Sequence, residues 1–312
     1  MKMIRVFGIL LLLLCCHVFW NCVAFAETIK LPDKILTIED ESFLGTASIE
    51  EVIIPEGTER IGHKAFAYSG LKTITIPESV MSIEQDAFLG VDGMTIYCSA
   101  DSYARKFADV CGLSWIDISP YSSVIEKYRN AYLSGNANND YHNESYAYKN
   151  GISSYIGYSS HVGYCYRDLD GDGTPELLIA GIDPRYSPGQ ELFDLYTLHD
   201  DTLINLATSH LKQRYYLKLD NTILFTGTGG APYHQWALKR IRGDELIPIK
   251  AIFTYYGYDN DSNTYFSGYY YQEGYTTYEP NESSVELDEE SFNNKRYEYE
   301  SDIYVPPLIM IA

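Results

Sequence analysis

Long apolar runs are scarce in this chain. After the first 26 residues, none is long enough to span a bilayer. Cysteine is scarce too, with six in 312 residues, three of them at positions 15, 16 and 22. That excludes a disulfide-dense scaffold. Positive charge is in deficit: 23 Lys and Arg stand against 43 Asp and Glu, for a net charge of −20. Such a balance disfavours nucleic acid and anionic membrane as partners, and it suits cations and solubility. Catalytic signatures are missing as well. There is no His-Glu-x-x-His and no Gly-x-Ser-x-Gly, and the histidines at 63, 142, 161, 199, 210 and 234 do not cluster in sequence. Gly227-Thr228-Gly229-Gly230 lacks the lysine and the strand-to-helix setting of a phosphate loop, so it reads as a flexible link. Arg242-Gly243-Asp244 falls where a hairpin turn belongs. A carboxylate pair for glycoside hydrolysis is not specified by spacing, because so many acids offer pairs. Glu126, Glu191 and Asp194 are only arbitrary choices among them.

The N-terminus opens with Lys2 and Arg5, runs apolar from Val6 to Trp20, and reaches Ala24-Phe25-Ala26. This pattern predicts a secretory signal peptide over residues 1–26, cleaved after Ala26. Cys15, Cys16 and Cys22 lack a small residue directly before them, so lipidation is not expected. Cleavage would leave 21 Lys and Arg against 43 acids, a net charge of −22. It would also leave three cysteines. Cys98 and Cys111 are expected to bridge after export, and Cys165 to stay free and buried.

One stretch specifies a chemistry. Asp168, Asp170 and Asp172 alternate along a turn, Gly173 follows, and Glu176 closes it. The spacing matches the first part of a D-x-[DN]-x-[DN]-G calcium loop, in which position 7 offers a backbone carbonyl, here that of Thr174. Three crowded carboxylates repel one another unless a cation joins them, and oxygen donors favour calcium over zinc. The predicted metal ligands are Asp168, Asp170, Asp172, Thr174 and Glu176, with Ca2+ as a structural cofactor. The match then stops: position 12 is Ile179 rather than Glu, and Pro175 opposes a helix. The loop therefore leads into a buried strand, Leu177-Leu178-Ile179-Ala180. It resembles the Asp-rich calcium loops of integrin-type repeats and of secreted bacterial proteins.

Residues 28–98 repeat. Pro32, Pro55 and Pro77 lie 23 and 22 residues apart, and Phe43, Phe66 and Phe88 keep the same spacing. Short alternating strands, Val52-Ile53-Ile54 and Ile74-Thr75-Ile76, precede the second and third prolines, and Met94–Cys98 forms a further strand. A period of this size predicts a stack of coils, none stable alone. Residues 101–112 predict a C-terminal capping helix with Tyr103, Phe107 and Val110 or Cys111 on one face and Gly112 as its stop. Residues 28–117 resemble the BspA-like leucine-rich repeats of bacterial surface proteins. That resemblance implies a short solenoid used for adhesion or for scaffolding a neighbouring domain, and both uses stay open.

Ser119-Pro120 marks the next boundary and opens a helix carrying Val124, Ile125, Tyr128 and Tyr132. Residues 141–160 are ambiguous, with a helix broken at Gly151 as one reading. Strands follow at 161–166, 192–197, 215–219, 222–225, 234–241, 246–255 and 265–271, mostly as hairpins. The tail from Tyr278 to Asp302 is acidic and reads as loosely packed, with Tyr297 and Tyr299 as a candidate edge strand. The 30 tyrosines fit either sheet cores or a contact surface. This part resembles an uncharacterised Asp-rich calcium-loop domain of secreted Firmicute proteins.

The expected organisation is a signal peptide (1–26), a leucine-rich-repeat domain (27–117) and an α+β domain dominated by antiparallel hairpins (118–312). The expected protein is a secreted or cell-surface calcium-binding adhesion module of a bacterium. Its expected partner is an extracellular protein or glycan, with no nucleic acid and no membrane insertion after cleavage. The alternative is an extracellular hydrolase of glycan or peptide, targeted by the repeats.

Overall fold

The computed structural model describes residues 27–32, 34–133, 161–182, 190–210, 212–230, 233–259, 263–274, 279–304, 306 and 308–311. The predicted signal peptide, the ambiguous 141–160 stretch and Tyr278 lie outside these.

The repeat folds as coils with two strands each. The longer strands are β1 (Glu27–Lys30), β3 (Ile49–Ile53), β5 (Thr73–Thr75), β7 (Thr95–Cys98) and β8 (Ser114–Asp117). They form one parallel sheet in that order. The shorter ones, β2 (Thr37–Ile38), β4 (Arg60–Ile61) and β6 (Ser82–Ile83), form a second parallel ladder. Strands are short because proline follows each Ile54 and Ile76 position and ends the ladder. Side chains complete the backbone pairing there: the Thr58 hydroxyl donates to the Ile35 carbonyl at 2.8 Å, and Ser79 to the Thr58 carbonyl at 2.9 Å.

Val52, Ile54, Ile61, Ile74, Ile76, Ile83 and Ile96 fill the space between the two ladders. The repeated phenylalanines form a column. Phe43 and Phe66 stack at 5.1 Å, and Phe66 and Phe88 at 5.6 Å. Phe107 meets Phe88 edge-on at 5.9 Å from helix α1 (Tyr103–Cys111). Ser102 caps that helix at its start, and Gly112, with φ 67°, ends it. The sheet continues one strand past the helix, because β8 pairs with β7.

The anticipated Cys98–Cys111 bridge does not form. Cys98 points into the solenoid core from β7, whereas Cys111 sits on the exposed side of α1. Strand pairing sends the first side chain inward and the helix turn sends the second outward. Cys165 is unpaired and buried, as expected.

The second region begins with a 3-10 turn at Ser119–Tyr121 that runs into α2 (Ser122–Leu133), with Val124, Ile125, Tyr128 and Ala131 buried. Its strands are β9 (His161–Arg167), β10 (Glu176–Ile182), β11 (Gln190–His199), β12 (Thr202–Thr208), β13 (Gln213–Leu217), β14 (Ile223–Gly230), β15 (Tyr233–Arg242), β16 (Glu245–Asp259), β17 (Thr264–Glu273), β18 (Val285–Leu287) and β19 (Ile309–Met310). They build one 11-stranded sheet, antiparallel throughout. Two expectations are corrected here. Gly227–Gly230 is not a loose link but the end of β14, where it pairs with β13 and β15. The acidic tail is not loose either. It forms β18 and helix α3 (Glu289–Glu300), capped by Asp288, with Phe292 and Tyr299 buried against the sheet. A seven-residue apolar spacing within a strongly acidic stretch gave little periodic signal. The buried Lys218 ammonium holds the end of α3 by donating to the carbonyls of Tyr299 (3.0 Å), Glu298 (3.4 Å) and Ser301.

One row on a face of the five-stranded solenoid sheet is covered by the second region. Across it, Ile53, Thr75, Tyr97 and Ile116 align in register. Ile53, Tyr97 and Ile116 belong to the same apolar cluster as α2 and β9–β11. The repeats therefore carry the second region on their sheet.

Candidate metal centre

The acidic loop spans the turn from β9 to β10, whose strands pair from Arg167↔Glu176 onward. The turn holds its shape through its own carboxylates. Asp168 accepts from the N–H groups of Gly171 (2.7 Å) and Gly173 (3.0 Å). Asp170 accepts from Asp172 N–H at 3.2 Å, and Asp172 from Thr174 N–H at 2.6 Å. Gly171 and Gly173 have φ of 81° and 95°, a conformation that other residues adopt only with strain.

Glu176 differs from the other acids. It is 1% exposed, at the first position of β10. One of its oxygens accepts from Leu169 N–H at 2.8 Å, the other from the Thr197 hydroxyl at 3.0 Å. Burial, with the nearby charges of Asp170 and Asp168 adding to it, pushes its carboxyl up to about 8. Asp170 is also raised, first by desolvation and then by Asp172 and Asp168, while Gly243 N–H offsets part of this.

Oxygens of Asp168, Asp170 and Glu176 lie within 4.8 Å of one another. Of the five residues named from sequence, these three are brought together. Asp172 is exposed and outside that set. The donors are all carboxylate oxygens, one of them buried, and each has lone pairs beyond those its hydrogen bonds use. That donor chemistry fits a hard divalent cation.

Three supports were invisible in sequence. Thr197 comes from β11, Gly243 from the β15–β16 turn, and Tyr121 from the 3-10 turn before α2. The Tyr97 phenol is kept protonated first by burial and then by the charges of Asp168, Glu51, Glu176 and Asp172. Tyr121 donates to the Pro175 carbonyl at 2.6 Å, fixing the loop's exit. None of these has a local signal, since each is placed by tertiary pairing. The Arg242-Gly243-Asp244 segment is a hairpin turn whose glycine backs onto this loop.

Residues 14–131 match the BspA type leucine-rich repeat region, in six copies. The match covers the stacked coils, α1 and most of α2, and repeats of this type are consistent with a surface or adhesion module. No curated protein and no solved structure matches the chain. No helix among the described residues is long and apolar enough to cross a membrane.

A second concavity lies along α3. It encloses about 410 Å³ and is lined by Lys212, Arg214, Trp236, Arg296 and Glu300 among others. Its single carboxylate, Glu300, accepts from Trp236 Nε1 at 2.8 Å and from Arg296 Nε at 3.1 Å. The carboxylate pair that glycoside hydrolysis uses is not in that lining.

Proposed function

We propose that this protein is a secreted surface-interaction module whose second region is an Asp-rich calcium-loop domain, stabilised by one structural Ca2+. The observation that carries the calcium reading is the convergence of Asp168, Asp170 and the buried Glu176 within 4.8 Å. A buried carboxylate beside two others is costly without a compensating cation. Asp168, Asp170 and Glu176 would hold the ion, with Asp172 and the Thr174 carbonyl completing the oxygen set together with water. The ion supplies charge neutralisation at a turn that joins the solenoid, α2 and the β15–β16 hairpin. A structural role is supported by the position of Glu176, buried at the first position of β10. The surface role is supported by the repeat match and by the apolar leader pattern of residues 6–20.

Thermal melts test the calcium reading. At about 1 mM free calcium and a dissociation constant near 0.1 mM, binding contributes roughly 1.4 kcal/mol to folding. The melting temperature should rise by a few degrees over that in chelator, and Asp170→Ala should remove most of the rise. An unchanged wild-type melt, or an equal response from the variant, overturns the metal site.

A further inference from the structure

The chain is strongly acidic, at −20, yet the groove beside α3 is lined by three cations and one carboxylate. That carboxylate is already committed to Trp236 and Arg296. The Arg296 guanidinium also lies over the Trp236 ring at 4.9 Å, so it is held in place rather than waving in solvent. On the opposite wall, Arg214 sits 3.9 Å from Glu191, and Lys212 has no ion partner among the described residues. Thr226 and Thr228 also line the groove. Counting Glu191, three cations meet two carboxylates here, and Lys212, exposed at the rim, carries the local excess of positive charge in a chain at −20.

The groove opens onto a tyrosine surface on the same face of the sheet. Strand register places Arg214, Thr226, Trp236 and Ile252 in one row. The adjoining row holds Thr228 and His234, whose backbone N–H donates to the Thr254 hydroxyl at 2.9 Å. Two and four residues further along β16 come Tyr256 and Tyr258, with Tyr265 paired opposite Tyr258. These three are 41%, 44% and 71% exposed. Tyr265 stacks on Tyr256 at 5.9 Å and lies 4.8 Å from Tyr258, which makes one continuous aromatic platform.

We propose that this face binds an acidic glycan, a uronate-containing chain, with a carboxylate in the groove and sugar rings along the tyrosines. Guanidinium groups match a planar carboxylate in two parallel hydrogen bonds, whereas lysine adds a point charge. Flat aromatic faces suit the C–H faces of pyranose rings. They offer nothing to the backbone amides that an acidic peptide would have to desolvate. The proposal deepens the interaction-module reading and rests on it. The calcium melts probe a different site, so either can fail alone.

The test is titration of the full chain, at one fixed calcium concentration, with a short oligogalacturonate. A neutral oligosaccharide, a heparin-derived oligosaccharide and an oligoglutamate of matched length serve as competitors. The uronate should bind best and weaken as salt rises. Lys212→Gln with Arg214→Gln should cost about tenfold in affinity, the loss of roughly one charge-assisted contact. Lys212→Gln alone changes an exposed side chain and keeps the test valid should the double variant melt early. Tyr265→Ala should cost about threefold. Equal binding of the neutral sugar, preference for the sulfated sugar or the peptide, no uronate binding, or affinity unchanged in the cation variants each overturns the proposal.

Discussion

The solenoid and the large antiparallel sheet bury their apolar residues on different sequence scales. In the solenoid each strand pairs with one a single repeat away, as in Val52↔Ile74 and Ile74↔Ile96. The same residue type returns at the same place, so Phe43, Phe66 and Phe88 meet each other. In the second region neighbouring hairpins account for much of the sheet, but its closure is long-range: Ile309 pairs with Tyr164, and Lys218 grips the end of α3. A repeat distributes its stability over equivalent contacts. The sheet instead relies on particular residues with no equivalent elsewhere. Its buried polar groups illustrate this, since Asp194 accepts from Tyr128 of α2 and from Asn205 and Thr208 of β12.

Breaking the two regions at these points should give different signatures. The largest effect belongs to the phenylalanine column. Phe66 is fully buried between two stacked rings, and Phe66→Ala should cost about 3–5 kcal/mol in urea unfolding. Hydrogen exchange should speed up in the flanking coils, because each coil stacks its phenylalanine on those of its neighbours. A loss under about 1 kcal/mol would show that the column is not what supports the stack. In the second region, Asp194→Ala removes an acceptor from the buried Tyr128 hydroxyl and from the less buried Asn205 and Thr208, and should cost about 2–3 kcal/mol. Its exchange signature should concentrate in α2 and β12, and a uniform change would contradict the idea of singular contacts.

The smallest expected effect separates solenoid surface from solenoid core. His63 lies 3.0 Å from Asp86 and 3.5 Å from Glu84, and these partners raise its pKa above the usual value while Asp86 is lowered. A raised folded pKa favours the charged imidazole in the native state. Its contribution is therefore full below the unfolded value of about 6.5 and fades as pH rises through the folded one. The melting-temperature difference between wild type and His63→Gln should be larger near pH ~6 than near pH ~8. The opposite trend would mean the ring packs as a neutral group.

Much of the fold was legible. The 22- and 23-residue periods placed the coils, a continuous apolar run placed β10, and alternation and turn signals placed β9 and the β13–β14 and β15–β16 hairpins. What escaped shared one property: its partner was distant in sequence. Helix α3 hides in an acidic stretch because only Phe292 and Tyr299 are buried. Cys98 and Cys111 looked like a bridge because spacing carries no direction, and only the folded backbone turns one inward and the other outward. For the candidate site, Asp168, Asp170 and Glu176 were readable from spacing within nine residues. The hydroxyl of Thr197, the N–H of Gly243 and the Tyr121 hydroxyl on the Pro175 carbonyl were not.

By itself, then, the sequence determined the local chemistry: a repeat whose side chains recur in phase, and a turn whose acids fall at cation-binding intervals. Periodicity and turn spacing act over a few residues, where backbone geometry alone relates position to direction. Tertiary structure decided which faces met. It laid the Ile53–Thr75–Tyr97 row of the solenoid onto the second region, sank Glu176 out of water, and drew Lys212, Arg214 and Arg296 to one groove in an acidic protein. Those outcomes depend on long-range strand register and on shared apolar burial, which no stretch of the chain encodes alone.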